Sequence, residues 1–155
     1  MKKIILFICL IATFNINGQT SKKDFIKNIE WINKNPSEFD NKKFVSKSAD
    51  LLKYQFFNHP NFSINISGMK ELDEKLKGHK YERYFQILYS FNQLAYKVQK
   101  IDKFNNLNAC TYSMEKLIES YKKIIEKEPR LRTDSLDEYA NLDHKGLMRR
   151  MKKIL

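Results

Sequence analysis

Residues 81–100 read YERYFQILYSFNQLAYKVQK, and this stretch decides the fold class. Its apolar positions return every three or four residues, which is the spacing of one face of an α-helix. The row steps by 4, 3, 4 and 3 through Tyr84, Leu88, Phe91, Ala95 and Val98. Further apolar residues lie outside that row, so we expect a central helix that is enclosed on more than one side.

A second long helix is predicted over residues 108–127, after a loop at residues 101–107. Its apolar row has the same steps and consists of Cys110, Met114, Leu117, Tyr121 and Ile124. Pro129 ends the segment, because proline has no N–H to donate and cannot continue a helix. Two long amphipathic segments in succession indicate a helical fold.

Two helices are predicted before the central one. The first opens at Ser21 and stops at Asn35-Pro36, because the residue before a proline avoids the helical region. The second is capped by Asp40 or Asn41 and ends near Pro60. Its inward row is expected to be Val45, Ala49, Leu52 and Phe56, widened by Phe44 and Leu51.

Residues 61–67 alternate apolar and polar side chains, the period of an extended segment. We expect this segment to pack on the helices or to pair with a second copy of the chain. A helical turn at residues 71–77 follows it. Near the C-terminus, Asp134 or Ser135 caps a short helix, and an amphipathic turn closes the chain. The sequence therefore predicts an all-α fold, a compact bundle of about five to six helices with one short extended segment near residues 61–67.

The N-terminal residues indicate export. Lys2 and Lys3 precede an uncharged run at residues 4–14 (IILFICLIATF), and a polar stretch ending in Gly18 follows. This order of charged, apolar and small residues is typical of a secretory signal peptide. The apolar run is too short for a transmembrane helix, which needs about 20 residues to cross roughly 30 Å of hydrocarbon.

Two other interpretations of this segment were weighed, a buried first helix and a lipoprotein signal. A lipoprotein signal places a small residue before its cysteine at the end of the apolar run, whereas Cys9 lies in the middle and follows Ile8. We therefore predict a cleaved signal peptide at residues 1–18 and a single helical domain at residues 19–155. The predicted location is the periplasm or the cell exterior, with no transmembrane segment in the mature chain.

Composition limits the possible functions. The net charge is +11, to which Lys2 and Lys3 of the predicted signal contribute. The basic residues are spread along the chain among glutamates instead of forming one cluster, which argues against a nucleic-acid partner. Cys110 is the only cysteine after residue 18, so no disulfide within the mature chain is possible, and we expect a small buried side chain there.

Short motifs occur in a fixed order along the chain. They are an Ile-Glu-Trp-Ile helix with an Asn-Pro end, a Pro-x-Phe-x-Ile-x-Ile connector, a Tyr-Lys-Lys-Ile-Ile-x-Lys-x-Pro ending and a Leu-Asp-Glu-Tyr…Lys-Gly-Leu tail. These motifs lie at residues 29–36, 60–66, 121–129 and 136–147. The pattern resembles a group of small uncharacterised exported all-helical bacterial proteins. The resemblance implies one exported helical domain and transfers no activity.

No catalytic, cofactor or metal site is predicted. The chain has three histidines, His59, His79 and His144. No two of them have the i,i+3 or i,i+4 spacing of a zinc site on a helix. No Gly-x-Ser-x-Gly motif or phosphate-binding glycine loop is present. Glu71, Asp73 and Glu74 offer a carboxylate pair for glycan hydrolysis, but acidic residues in the first turn of a helix are more typical of a solvated end.

Aromatic residues crowd the central helix, where they are expected to form the core and its rim. An alternative interpretation is an aromatic-lined groove for an apolar ligand or a glycan, with tyrosine hydroxyls at its edge. The binding candidates on this interpretation are Tyr84, Tyr89 and Tyr96.

The last residues of the chain are basic and amphipathic. They suit an anionic lipid or lipopolysaccharide surface, or else form a solvated last helix. The candidates here are Arg149, Arg150, Lys152 and Lys153. The sequence thus predicts an exported, non-enzymatic binding protein whose partner is unknown, with another envelope protein or an anionic envelope surface as the candidates. A basic binder of a polyanionic or membrane surface of the envelope is the alternative, and an enzyme with an unrecognised site is the third possibility.

Overall fold

The computed structural model describes residues 20–100 and 103–155. Within these ranges the chain forms seven α-helices and no β-strand. The helices are α1 (Lys22–Lys34), α2 (Lys42–Asn58), α3 (Ser67–Lys75), α4 (Glu82–Gln99), α5 (Asn106–Lys127), α6 (Asp134–Ala140) and α7 (His144–Ile154). The predicted all-α fold is confirmed, with slightly more helices than expected. The predicted signal peptide at residues 1–18 lies outside the described residues.

Helices α4 and α5 form an antiparallel pair at the centre of the bundle. Tyr96 faces Tyr112 with 5.7 Å between the ring centroids, and Phe85 faces Tyr121 near the other end of the pair at 6.4 Å. Most of α4 is buried, as its apolar pattern predicts. Helices α1 and α7 pack against this pair, so α4 and α5 provide most of the core.

Polar side chains begin most of the helices by accepting a hydrogen bond from a free backbone N–H. Ser21 begins α1, and Asn41 begins α2, which selects one of the two predicted caps. Thr133 caps α6 by accepting from the N–H of Leu136. The prediction of Asp134 or Ser135 at that cap was wrong, because these residues occupy the first turn of the helix itself.

The inward face of α2 differs from the predicted row. Its buried residues are Phe44, Ser48, Leu51 and Tyr54, whereas Val45 is 49% exposed and Phe56 is 70% exposed. Helix α2 lies at the edge of the bundle and packs mainly on α1, where the ring of Phe25 stacks on Tyr54 at 4.4 Å. The helix carries two parallel apolar rows, and an edge helix buries only one of them. In the other row, Val45 and Phe56 are exposed, while Leu52 is partly buried against the core.

Residues 59–66 connect α2 to α3 without forming a strand. Helix α3 starts at Ser67, earlier than the predicted turn at residues 71–77. The early start brings Gly68 against α4, where a Cβ atom at this position would collide with the hydroxyl of Tyr89. A glycine is therefore required at this point for α3 to pack closely on the central helix.

Candidate binding groove at the connector end

Five elements meet at one end of the bundle, which we call the connector end. Helix α2 ends here at Asn58 and α4 ends here at Gln99, while α3 begins at Ser67 and α5 begins at Asn106. The first turn of α1 lies beside them, because Phe25 stacks on Tyr54 near the end of α2. The connector, residues 59–66, crosses this end.

An open groove of about 810 Å³ lies between the connector and the corner that joins α4 to α5. We call it the connector groove. Amide and hydroxyl groups dominate its polar lining, which includes Asn58, Asn61, Ser63, Asn65, Ser67 and Asn106. None of the described residues that line it carries a carboxylate. A shallower extension of about 510 Å³ continues past Asn105 to the C-terminal residue, Leu155.

One side of the groove is aromatic. The ring of Phe104 packs edge-on against Phe62 with 5.8 Å between the centroids, and Tyr96 lies behind it at 6.4 Å. Lys97 places its Nζ atom 4.9 Å from the centre of the Phe104 ring. This contact draws the ammonium group towards the groove and leaves it partly exposed.

The connector is held to the core by Gln93, whose side chain is buried. Its Oε1 accepts from the backbone N–H of Asn65 at 2.9 Å, and its Nε2 donates to the backbone carbonyl of Asn65 at 2.9 Å. The Asn65 side chain in turn accepts from the N–H of Ser67, the first residue of α3. These bonds fix the floor of the groove although the connector has no regular secondary structure.

The electrostatic environment of the groove is positive. Burial lowers the pKa of His59, and the nearby charges of Lys97 and Lys22 lower it further. His59 is therefore neutral at pH 7, and the lysines supply the charge. The N-termini of α3 and α5 meet the C-termini of α2 and α4 at this end, so their partial charges oppose one another and the lysines set the sign of the field.

The three candidate tyrosines occupy different positions. Tyr84 and Tyr89 are fully buried, and burial raises the pKa of both hydroxyls. The Tyr84 hydroxyl donates to the carbonyl of Ile32 at 3.0 Å, whereas that of Tyr89 faces the Cys110 thiol, a weak hydrogen-bond partner, and bonds to no nitrogen or oxygen among the described residues. Both are core residues and do not form the rim of a groove. Tyr96 alone approaches the connector groove, behind Phe104.

The four basic candidates at the C-terminus belong to α7. Arg150 forms an ion pair with Glu71 of α3 and lies over the ring of Tyr139 at 5.5 Å, so it links helices. The other three, Arg149, Lys152 and Lys153, are exposed. The apolar face of α7 is buried through Leu147 and Met151, so this helix cannot insert that face into a lipid surface while it stays packed.

Two of the three carboxylates considered for catalysis, Glu71 and Asp73, serve structural contacts, and Glu74 is exposed. Glu71 accepts from Tyr139 at 3.0 Å in addition to pairing with Arg150. Asp73 accepts from the side chain of Gln86 at 3.3 Å, and burial raises the pKa of its carboxyl. Within residues 20–100 and 103–155, no group of three or more His, Cys, Asp or Glu side chains is arranged to hold a metal ion.

The sequence analysis did not identify the connector groove as a site. The alternating pattern of residues 61–67 predicted a segment that packs on the helices or pairs with a second copy of the chain. A signal was present in composition, since every polar residue from Asn61 to Ser67 is Asn or Ser. Such side chains both donate and accept hydrogen bonds and carry no charge, which suits a polar binding surface.

No described helix combines the length and the apolarity needed to cross a membrane. This agrees with the prediction for residues 20–155 so far as the structure describes them. Comparison with protein families, characterised proteins and solved structures gave no match to this chain.

Proposed function

We propose that this protein is an exported, non-enzymatic binding protein whose ligand occupies the connector groove. The observation that carries the proposal is the lining of the groove, which combines neutral amides and hydroxyls with Lys97 and, among its described residues, has no carboxylate. Export is inferred from the signal-like order of residues 1–18. The shape and the chemistry of the groove support binding of a polar ligand.

The lining favours a ligand that is rich in hydroxyl groups and negatively charged, such as an acidic oligosaccharide. Asparagine and serine side chains can donate to a hydroxyl oxygen and accept from the same hydroxyl hydrogen. Lys97 and Lys22 attract a carboxylate or phosphate, and the described lining contains no like charge to repel it. The half-buried ring of Phe104 offers an apolar surface against which a sugar ring can pack.

The titratable groups of the groove support binding more than catalysis. His59 is the one histidine that lines it, and its charged neighbours are lysines. A general base needs a proton acceptor that is oriented by a second group, usually a carboxylate. The described groove residues supply no such pairing.

Titration with an oligosaccharide of uronic acids and with its neutral, carboxyl-reduced counterpart tests the proposal. Calorimetry should show saturable binding of the acidic sugar and at least about tenfold weaker binding of the neutral one. Lys97→Gln should weaken binding of the acidic sugar by about the same factor. Lys127→Gln removes an exposed charge at the opposite end of α5 and is the matched control. Absence of binding to both sugars, or unchanged binding by the Lys97 variant, would overturn the proposal.

The exposed side chains of Arg149, Lys152 and Lys153 favour a second candidate, attachment to a polyanionic envelope surface through α7. Because the apolar face of α7 is buried, such attachment is electrostatic. It should therefore be reversed by about 0.5–1 M salt, which screens exposed charges. Replacing the three residues by glutamine should have the same effect, and attachment that resists both treatments would exclude this candidate.

A further inference from the structure

Two phenylalanines stand side by side on the surface at the connector end. Phe56 is 70% exposed and Phe57 is 55% exposed, and their rings meet edge-on at 5.3 Å. They occupy the last turn of α2, directly before Asn58 of the connector groove. Ile66, on the other side of the same groove, is also exposed. Large apolar side chains in such a group on a surface mark a site of interaction.

The charges of the described segments at the connector end are almost all positive. The described segments at this end are residues 20–24, 55–67, 96–100, 103–107 and 152–155. They contain the lysines Lys22, Lys23, Lys97, Lys100, Lys103, Lys152 and Lys153. Asp24 is the one acidic side chain in these segments, and the terminal carboxylate of Leu155 is the other negative group.

We propose that the connector end is a membrane-docking face, which inserts Phe56 and Phe57 into the interface of an anionic lipid bilayer while lysines of the same end, among them Lys22 and Lys97, contact the headgroups. Phenylalanine is among the apolar side chains that interfacial segments bury at the boundary between headgroups and acyl chains. Each lysine near an anionic surface adds electrostatic attraction that falls off within a Debye length. Exposed aromatics surrounded by lysines combine both contributions on one face.

A bilayer suits this face better than a second copy of the chain. The two rings expose on the order of 250 Å², if each has about 200 Å² in total. A stable protein interface buries about 800 Å² per partner. Two copies meeting here would also bring their lysines together, and like charges oppose association. A lipid surface removes both difficulties, because it adapts to a small apolar patch and carries the opposite charge.

The docking face shares Lys152 and Lys153 with the α7 surface described above, but it adds exposed aromatic side chains. Helix α7 has basic residues at the surface but keeps its apolar side chains in the core. The end of α2 exposes its apolar side chains together with the charges. Docking through this face does not require the connector groove to be occupied, so it does not depend on the proposed function.

Co-sedimentation with lipid vesicles tests the inference. The vesicles contain phosphatidylcholine alone or with about one-third phosphatidylglycerol. We expect binding to the anionic vesicles, and about tenfold weaker partition for the double variant Phe56→Ser/Phe57→Ser. The matched control, Val45→Ser/Leu142→Ser, removes exposed apolar side chains from other parts of the surface and should bind as the parent does. All variants are compared in the same N-terminal form, so that residues 4–14 contribute equally.

Three results would overturn the docking face. The first is equal partition of the double variant and the control, and the second is equal binding to neutral and anionic vesicles. The third is a dimer, seen by sedimentation velocity, that the phenylalanine substitutions dissociate, because the occupant would then be a second copy. Titration of the double variant with the uronic-acid oligosaccharide separates this inference from the proposed function, since the groove should still bind that sugar.

Discussion

Gln93 of α4 forms two hydrogen bonds with the backbone of Asn65 and so holds the connector against the central helix. Both bonds measure 2.9 Å, and the Gln93 side chain is buried. The Gln93 amide provides the two hydrogen bonds that a neighbouring strand would otherwise make, because it pairs with both the N–H and the carbonyl of Asn65. The floor of the connector groove depends on this contact.

Gln93→Leu should therefore destabilise the protein and loosen the groove. The substitution keeps the side-chain volume but removes both bonds, and we expect a loss of about 1–3 kcal/mol in the free energy of unfolding. Amide hydrogen exchange at Asn65 should accelerate in the same variant. Gln86→Leu is the matched control on the same helix, since it removes a single, longer bond to Asp73. Equal effects of the two substitutions on exchange at Asn65 would contradict this role for Gln93.

A close contact between α3 and α4 gives a second prediction. A methyl group at Gly68 would collide with the hydroxyl of Tyr89, so Gly68→Ala should destabilise the protein by about 1–3 kcal/mol. Tyr89→Phe removes the colliding atom and should recover most of that loss in the double variant. Chemical denaturation of both single variants and the double variant measures this coupling. Additive effects would mean that the hydroxyl does not limit the approach of α3.

Tyr89→Phe alone gives a third prediction. The Tyr89 hydroxyl is buried beside the Cys110 thiol, a weak hydrogen-bond partner, and bonds to no nitrogen or oxygen among the described residues, so its removal should leave stability unchanged or raise it. Tyr84→Phe is the natural comparison, because the Tyr84 hydroxyl is equally buried and donates to Ile32. We expect the Tyr84 variant to lose about 0.5–1.5 kcal/mol. The denaturant midpoints of the two variants measure the difference. A larger loss of stability for Tyr89→Phe than for Tyr84→Phe would show that the Tyr89 hydroxyl makes a stabilising hydrogen bond.

The register of α2 shows where sequence periodicity determined the fold and where it did not. The spacing of apolar residues identified the helix, and the prolines identified its end. The spacing did not identify which face of α2 is buried, because the helix has one apolar row through Phe44 and Leu51 and another through Val45 and Phe56. The packing of α2 on α1 determines which row is buried. A tertiary contact of this kind produces no periodic pattern in the local sequence. By contrast, α4 and α5 are enclosed on several sides, so their predicted rows were also their buried rows.

This register predicts opposite outcomes for neighbouring leucine and phenylalanine residues. Leu51→Ala should cost about 2–5 kcal/mol, because Leu51 is fully buried. Phe56→Ala should change the free energy of unfolding by less than about 0.5 kcal/mol, because that ring faces solvent. Thermal or denaturant unfolding distinguishes the two. A large loss of stability for Phe56→Ala would instead support the predicted inward row through Val45 and Phe56.

The candidate site was less predictable than the fold. Sequence analysis selected tyrosines on the central helix, since aromatic side chains often line ligand sites, and two of the three lie in the core. The connector groove arises where five separate segments end together. Its residues are weakly patterned and distant in sequence, so no local spacing identifies them. Lys97 became a candidate only when its position beside Phe104 and His59 was known.

The lowered pKa of His59 predicts how the groove responds to pH. Burial and the charges of Lys97 and Lys22 disfavour the protonated form in the folded protein. Below the unfolded pKa of about 6.5, the unfolded chain therefore binds a proton that the native state does not. Stability should fall as the pH drops from about 6.5 to the lower folded pKa, and the loss is complete below that value.

Lys97→Gln removes one cause of this shift, so the pKa of His59 should rise towards its ordinary value. NMR titration of the His59 ring measures the change directly and separates it from His79 and His144. Lys127→Gln should leave the titration unchanged, because that lysine lies at the far end of α5. An acidic oligosaccharide bound in the groove should raise the same pKa in the parent protein, since a negative charge beside the imidazole stabilises its protonated form. If the pKa of His59 responds to neither Lys97→Gln nor the acidic sugar, the charges in the groove do not control the protonation of this histidine.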